Sequence, residues 1–218
     1  MIDLGGQGTI LALTNTTKNF KLLQKVSIPT AHGTEYCDEV SSNIMISLAG
    51  MNFGQREFYR CADFDASISP MFGADYFRGH LFAMYFSRQT FSWLNRPISV
   101  PRLALRYNGL WFLVPSQIGN VVTSAVIDTG APTTLVDQTF FNSHRDLFGV
   151  LDAQTQTARL NQPLVIGNVS FSGTSVLIMD LKTSFGTAAP DIFVGMNHIV
   201  EADWELDYSG SQLYVRKN

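Results

Sequence analysis

Apolar positions along the chain recur mostly with a period of two, in short runs cut by Gly, Pro and Asn. That spacing builds strands rather than helices. The stretch Leu23 to Ile28 alternates as a half-buried strand does, and Pro29 is expected to end it. Thr30 to Tyr36, with Gly33 inside it, reads as a hairpin tip whose returning strand is Val40 to Ile46. Ile44 to Leu48 with the turn Gly50 to Gly54 predicts a further strand, and Phe58 to Asp63 another. Leu81 to Phe86 turns through Ser87-Arg88-Gln89 into Thr90 to Trp93. A second hairpin, Leu103 to Tyr107 and Leu110 to Val114, is centred on Asn108-Gly109, a two-residue turn signal. No helical period persists over a long stretch, so the expected class is mainly β with short helices.

Within that pattern one stretch delivers an acid. Val126 and Ile127, β-branched and flanked by apolar residues, predict a strand covered on both faces, which makes Asp128 the first charge the core must tolerate. A buried carboxyl is costly unless it is hydrogen-bonded or used. Thr129 offers a bracing hydroxyl, Gly130 permits a sharp turn and close approach, and Ala131 and Pro132 keep the turn small and stiff. By chance an Asp-Thr-Gly arises in a chain of this length about one time in twenty. A second copy strengthens it. Met1 to Leu11 aligns on Val126 to Val136 with residue n matching n + 125, so that Asp3, Gly5 and Thr9 answer to Asp128, Gly130 and Thr134.

Downstream of each acid stands an apolar-apolar-Gly motif, Met71-Phe72-Gly73 and Phe193-Val194-Gly195, related by n + 122, the spacing that also separates Phe86 from Tyr208. Landmarks in the same order at nearly the same spacing imply an internal duplication. The seam is expected near Asn95-Arg96-Pro97, giving halves 1–97 and 98–218. Halves that face one another would present Asp3 and Asp128 as a pair. Two adjacent carboxyls cannot both ionise cheaply, so such a pair holds one shared proton around a water, the arrangement for general acid-base hydrolysis of an amide.

Composition narrows the alternatives. With 45% hydrophobic and 15% charged residues among 218, the chain can bury a core of one large domain or two small ones. A net charge of −3 without runs of one sign gives no electrostatic reason to expect nucleic acid or an anionic membrane as partner. No stretch has the length of a membrane span, and the first residues lack the basic start and apolar middle of a signal peptide. Asp3 has almost nothing before it, whereas its counterpart follows a long run, so an N-terminal strand and any signal ahead of it are expected to be missing. Localisation stays open, with the periplasm or secretion favoured. Cys37 and Cys61 are too far apart for a metal knuckle; one bridge in an oxidising compartment and two buried thiols both fit. Gly6-Gln7-Gly8 lacks the third Gly of a dinucleotide loop, His32, His80, His144 and His198 are scattered, and no Gly-x-Ser-x-Gly occurs, so neither cofactor nor metal is expected.

Taken together, Asp128-Thr129-Gly130-Ala131 with Thr134, Asp3-Leu4-Gly5-Gly6 with Thr9, and the two apolar-apolar-Gly motifs make the sequence resemble the aspartic peptidases, most of all bacterial retropepsin-like proteins carrying two copies of the domain. The resemblance covers nearly the whole chain. It implies a bilobal fold of acid-protease β-barrels, with Asp128 and Asp3 as catalytic dyad and Thr129, Gly130, Ala131, Thr134, Gly5 and Thr9 supporting their loops. It further implies that Phe72-Gly73 and Val194-Gly195 cross behind those loops, that a flap spans Gly33 to Tyr36, and that the substrate is a peptide or unfolded protein. A monomer is the expected state, a homodimer of the Asp128 half the variant. Two departures stand out. Leu4 occupies the place of a Thr or Ser whose hydroxyl ties the acid loops together, and Phe148 to Leu164 shows no clear Gly-tipped hairpin, so a second flap is not expected. The functions implied are an aspartic endopeptidase or, in the alternative, an inactive protein of the same fold that binds a peptide or protein in the former cleft.

Overall fold

The computed structural model describes residues 1–30, 33–41, 46–53, 57–96 and 99–218, and among these strands dominate. Helices are short. Gln138–Ser143 is held at its start by Asp137, whose carboxylate accepts the N–H groups of Thr139 and Phe140.

Three sheets organise the chain. In the first, Ile10–Ala12 lies parallel to Glu57–Cys61, followed by the antiparallel strands Gly33–Ser41 and Lys21–Thr30. In the largest, Val121–Ile127 is flanked by Phe112–Ile118 on one side and the parallel strand Ile192–Val194 on the other. A five-stranded sheet joins early and late parts of the chain: Thr90–Trp93, Leu81–Tyr85, Ala202–Asp207, Gln212–Lys217, Leu103–Ala104. At its centre Leu81 pairs with Asp207 and Tyr85 with Asp203, so the pairing maps onto itself under n + 122 about the pair Ala83 and Glu205. The hairpin pair Thr90 and Tyr85 recurs at the same offset as Gln212 and Asp207. One hydrophobic core, running from Leu4 through Tyr76, Phe82 and Val136 to Trp204, packs beneath these sheets. Full burial of each large side chain contributes about 2 kcal/mol, which makes this core the main stabiliser.

Several expectations need correction. Pro29 does not end its strand; it lies inside Lys21–Thr30 opposite Thr34. That strand is the outer one of its sheet, where a residue lacking an N–H is tolerated. Gly33 to Tyr36 belong to the returning strand Gly33–Ser41 rather than to a tip. Residues 31–32 of the expected tip, 42–45 of the expected strands, Gly54 and Pro97 at the expected seam fall outside the described residues. The turn is shifted by one residue from Asn108-Gly109: beyond the pairs Arg106 with Leu113 and Tyr107 with Phe112, the Asn108 N–H donates to the Trp111 carbonyl at 3.1 Å, which leaves Gly109 and Leu110 at the tip. Asn108 Oδ1 closes this loop by accepting the N–H groups of Leu110 and Trp111. Val121–Ile127 is buried only from Ala125 onward, at the end that carries Asp128. Of the two states open to the cysteines, the bridge is the one formed: Cys37–Cys61 ties Gly33–Ser41 to Glu57–Cys61.

Candidate active site

Each acid sits where a strand leaves a parallel pair. Ile2–Asp3 runs beside Phe72–Gly73, and Val121–Ile127 beside Ile192–Val194, with the Asp128 N–H donating to the Val194 carbonyl at 2.9 Å. The chain then turns back on each carboxyl. Asp3 Oδ1 accepts the N–H groups of Gly5 (3.1 Å) and Gly6 (2.9 Å), and Asp128 Oδ1 those of Gly130 (2.9 Å) and Ala131 (3.2 Å). Equivalent backbone groups therefore hold equivalent oxygens.

The turns are clamped from behind in matching fashion. Thr9 Oγ1 accepts the Gly73 N–H at 3.1 Å, and Thr134 Oγ1 accepts the Gly195 N–H at 2.9 Å. The Ala74 N–H reaches the Gly6 carbonyl and the Met196 N–H the Ala131 carbonyl, each at 2.8 Å. A Cβ on Gly73 or Gly195 would fall 2.4 Å from backbone atoms of Gly8 or Thr133, so only glycine lets the crossing segments approach this closely. Phe72 and Val194 anchor those segments in the core.

Across the site the two loops interlock. A Cβ on Gly5 would lie 2.3 Å from Asp128 Cγ, and one on Gly130 would lie 2.4 Å from Asp3 Cγ. Each carboxyl thus occupies the space that the opposite glycine leaves open, which sets the Asp3 and Asp128 carboxyls facing one another across the site. Burial, followed by the neighbouring Asp3 carboxyl, holds the Asp128 carboxyl well above the usual carboxylate range, against the opposing pull of the Gly130 and Ala131 N–H groups. A proton shared between the two oxygens relieves both costs.

The brace between loops has one side. Thr129 Oγ1 accepts the Leu4 N–H at 3.1 Å and donates to the Ile2 carbonyl at 2.9 Å. Leu4 returns no hydroxyl; its side chain is 2% exposed and joins the core. A further tie comes from Trp111, whose buried indole N–H donates to the Gly5 carbonyl at 3.0 Å.

The residues named for a flap lie on the exposed end of a long hairpin. Gly33 opens its strand with φ at +124°, and Tyr36 is 83% exposed. The hairpin's strand Lys21–Thr30 lies beside the helix Leu181–Phe185 of the later part of the chain. In the later part of the chain, where no clear hairpin is expected, residues 148–160 form a short irregular one, bridged antiparallel at Phe148 with Leu160 and at Asp152 with Thr157, with no glycine at its tip. Among the described residues the one group with metal-ligand spacing is Glu35, Cys37 and Cys61, and the disulfide consumes both of its thiols. No helix of the described residues is long and apolar enough to cross a membrane.

Sequence reasoning missed Trp111, Asp75, Asn197 and His198 as supports of the acid loops. Asp75 Oδ1 accepts from Thr9 Oγ1, and Asn197 Oδ1 accepts the Thr134 N–H. The n + 122 offset relates Asp75 to Asn197 and could have found that pair. A Trp behind a turn next to an acid strand was a weaker sign, since a buried indole N–H requires some acceptor.

The crystal structure of an aspartic proteinase from Irpex lacteus matches 100% of this chain and 89% of its own, with a TM-score of 0.58 at 15% identity. The chain has the aspartic-proteinase fold. At that identity the likeness speaks for the fold alone. No protein-family model and no curated protein matches the sequence.

Proposed function

We propose that the protein is an aspartic-type endopeptidase in which Asp3 and Asp128 together activate one water. The observation that carries this reading is the facing carboxyl pair, each member set against the opposite loop's glycine and held by two backbone N–H groups at matching positions. In this scheme the ionised carboxyl takes a proton from water as its oxygen adds to the peptide carbonyl carbon. The protonated carboxyl gives its proton to the carbonyl oxygen, so a neutral gem-diol forms. Its collapse breaks the C–N bond, with a proton passing to the leaving nitrogen. The raised Asp128 pKa supports a singly protonated pair above the range of ordinary carboxyls.

The same reading takes the chain as two lobes, 1–97 and 98–218, derived from an internal duplication and related to bacterial two-copy retropepsin-like proteins, acting as a monomer on peptides or unfolded protein. The matched clamps of Thr9 with Gly73 and Thr134 with Gly195, and the n + 122 pairing in the shared sheet, support it. The disulfide suits an oxidising compartment.

One observation favours the alternative of an inactive protein binding a peptide in the cleft: Leu4 leaves the interloop brace one-sided. The two are separated by incubating the purified chain with an unfolded protein from acidic to neutral pH. The peptidase reading expects cleavage that Asp128→Asn abolishes and a pepstatin-like inhibitor blocks. Binding of peptide without cleavage would favour the alternative, and an Asp128→Asn variant as active as wild type would refute the peptidase reading.

A further inference from the structure

His198 lies fully buried beneath the Asp128 loop, with Nδ1 2.6 Å from the Thr134 hydroxyl. That hydroxyl also accepts the Gly195 N–H and stands 3.0 Å from Asn197 Oδ1, which in turn accepts the Thr134 N–H. A threonine hydroxyl has two lone pairs and one proton. A single arrangement satisfies all its contacts at once: Gly195 N–H and His198 Nδ1–H donate into Oγ1, and Oγ1–H goes to Asn197. This sets the tautomer and leaves Nε2 as a bare acceptor, buried without a hydrogen-bond partner. With the other tautomer an unpaired N–H would be buried at Nε2 and Oγ1 would lose Asn197, so it is the costlier state.

The first acid loop has a different residue at the matching position. The n + 122 counterpart of His198 is Tyr76, also fully buried and with no charge change in the working range of a carboxyl pair. At the matching position beneath the acid loops, only the Asp128 loop has an imidazole.

We propose that His198 is a positioning residue: as the neutral ring it holds Thr134, and through Thr134 the clamp of Gly195 and Asn197 behind Asp128, and its protonation sets the acid limit of the site. The activity part of this proposal rests on the peptidase reading above; the part concerning the clamp does not.

A proton arriving at Nε2 finds no acceptor. Phe171 packs edge-on to the ring at 5.5 Å. The charged groups facing it are Glu201, at the end of its own helix, and Lys217, on the last strand, which oppose each other in effect and form an ion pair at 2.5 Å. Burial therefore dominates and holds the imidazole down at about 4, from an ordinary value near 6.5. Because the folded value is the lower one, the unfolded chain binds the extra proton first. The stability due to the neutral ring is whole above about 6.5 and is lost as pH falls from there towards about 4.

The test uses the full chain with His198→Asn, whose amide can donate from the place of Nδ1 but cannot titrate, and His198→Ala, which donates nothing. Thermal unfolding from pH 3 to 8 should show wild type losing stability between about 6.5 and 4, and the Asn variant losing distinctly less over that window. Peptide cleavage should show the acid limb of wild type moved down by about one pH unit in the Asn variant. At neutral pH His198→Ala should lower kcat about tenfold with KM little changed, and Asn should restore most of it. Equal slopes for wild type and Asn variant, or a His198 ring titrating near 6.5 by NMR, overturn the proposal. If no form cleaves peptide, the peptidase reading has failed, and the unfolding slopes with the NMR titration still decide the role of His198. The NMR titration of wild type decides it equally if a variant does not fold.

Discussion

Thr129 is tied to Leu4 across the site: its hydroxyl accepts the Leu4 N–H at 3.1 Å while donating to the Ile2 carbonyl at 2.9 Å. These two bonds are the whole of a side-chain brace to which Leu4 contributes backbone alone. Thr129→Val keeps the shape and removes both, leaving a part-buried N–H and carbonyl unpaired. The expected cost is about 2–3 kcal/mol. Urea unfolding should show it as a lower midpoint with an unchanged slope.

Gly130 faces Asp3 so closely that a Cβ would lie 2.4 Å from Asp3 Cγ. Gly130→Ala must displace one loop or the other carboxyl. A shift of about 1 Å in a reacting group can cost 10²-fold in rate. Cleavage is expected to fall by at least about that factor while circular dichroism still reports a folded chain, and Gly5→Ala should behave alike for the contact with Asp128.

Asp128 has a raised pKa, so the sign of its stability contribution is the reverse of the usual acid. The folded state binds the proton more tightly than the unfolded one, which favours folding below the ordinary carboxyl range and loses that advantage as pH rises through the raised value. Asp128→Asn removes the charge without removing the shape. The variant should melt at a higher temperature than wild type at pH 7, and the gain should shrink towards pH 3. Equal melting temperatures at pH 7 would mean that Asp128 is not the strained group described.

The Cys37–Cys61 bridge closes a separation of 24 residues and staples the long hairpin to its neighbouring strand. Its removal by Cys37→Ala with Cys61→Ala is expected to destabilise the protein by about 3 kcal/mol. Melting curves with and without reductant should reproduce that loss for wild type and show none for the double variant.

The acid loops were legible in the sequence because their chemistry is local and appears twice: Asp3 with Gly5 and Thr9, and Asp128 with Gly130 and Thr134, carry the same side chains into the same backbone bonds. The glycines of the crossing segments were legible for the same reason. The hairpin of Lys21–Thr30 and Gly33–Ser41 was misread because Pro29 and Gly33 are ordinary turn signals, and only the outer position of the strand explains why a proline stays in it. The pairing of Leu81–Tyr85 with Ala202–Asp207 leaves no local trace, since its partners are over a hundred residues apart. The one-residue shift of the turn after Tyr107 could not be read from Asn108-Gly109 either: Asn108 is bonded to Trp111, whose indole has its acceptor at Gly5, a residue of the other acid loop.

Asp3 is the member of the pair on which the chemistry turns, because it stands beside Leu4 while Asp128 has full local support. The most direct measurement is the rate of cleavage of an unfolded protein by wild type and by Asp3→Asn, at equal concentration of folded chain, across acidic to neutral pH. A dyad requires both carboxyls, and loss of one is expected to lower the rate by about 10³-fold or more. An Asp3→Asn chain that cleaves as fast as wild type would contradict the shared-proton pair.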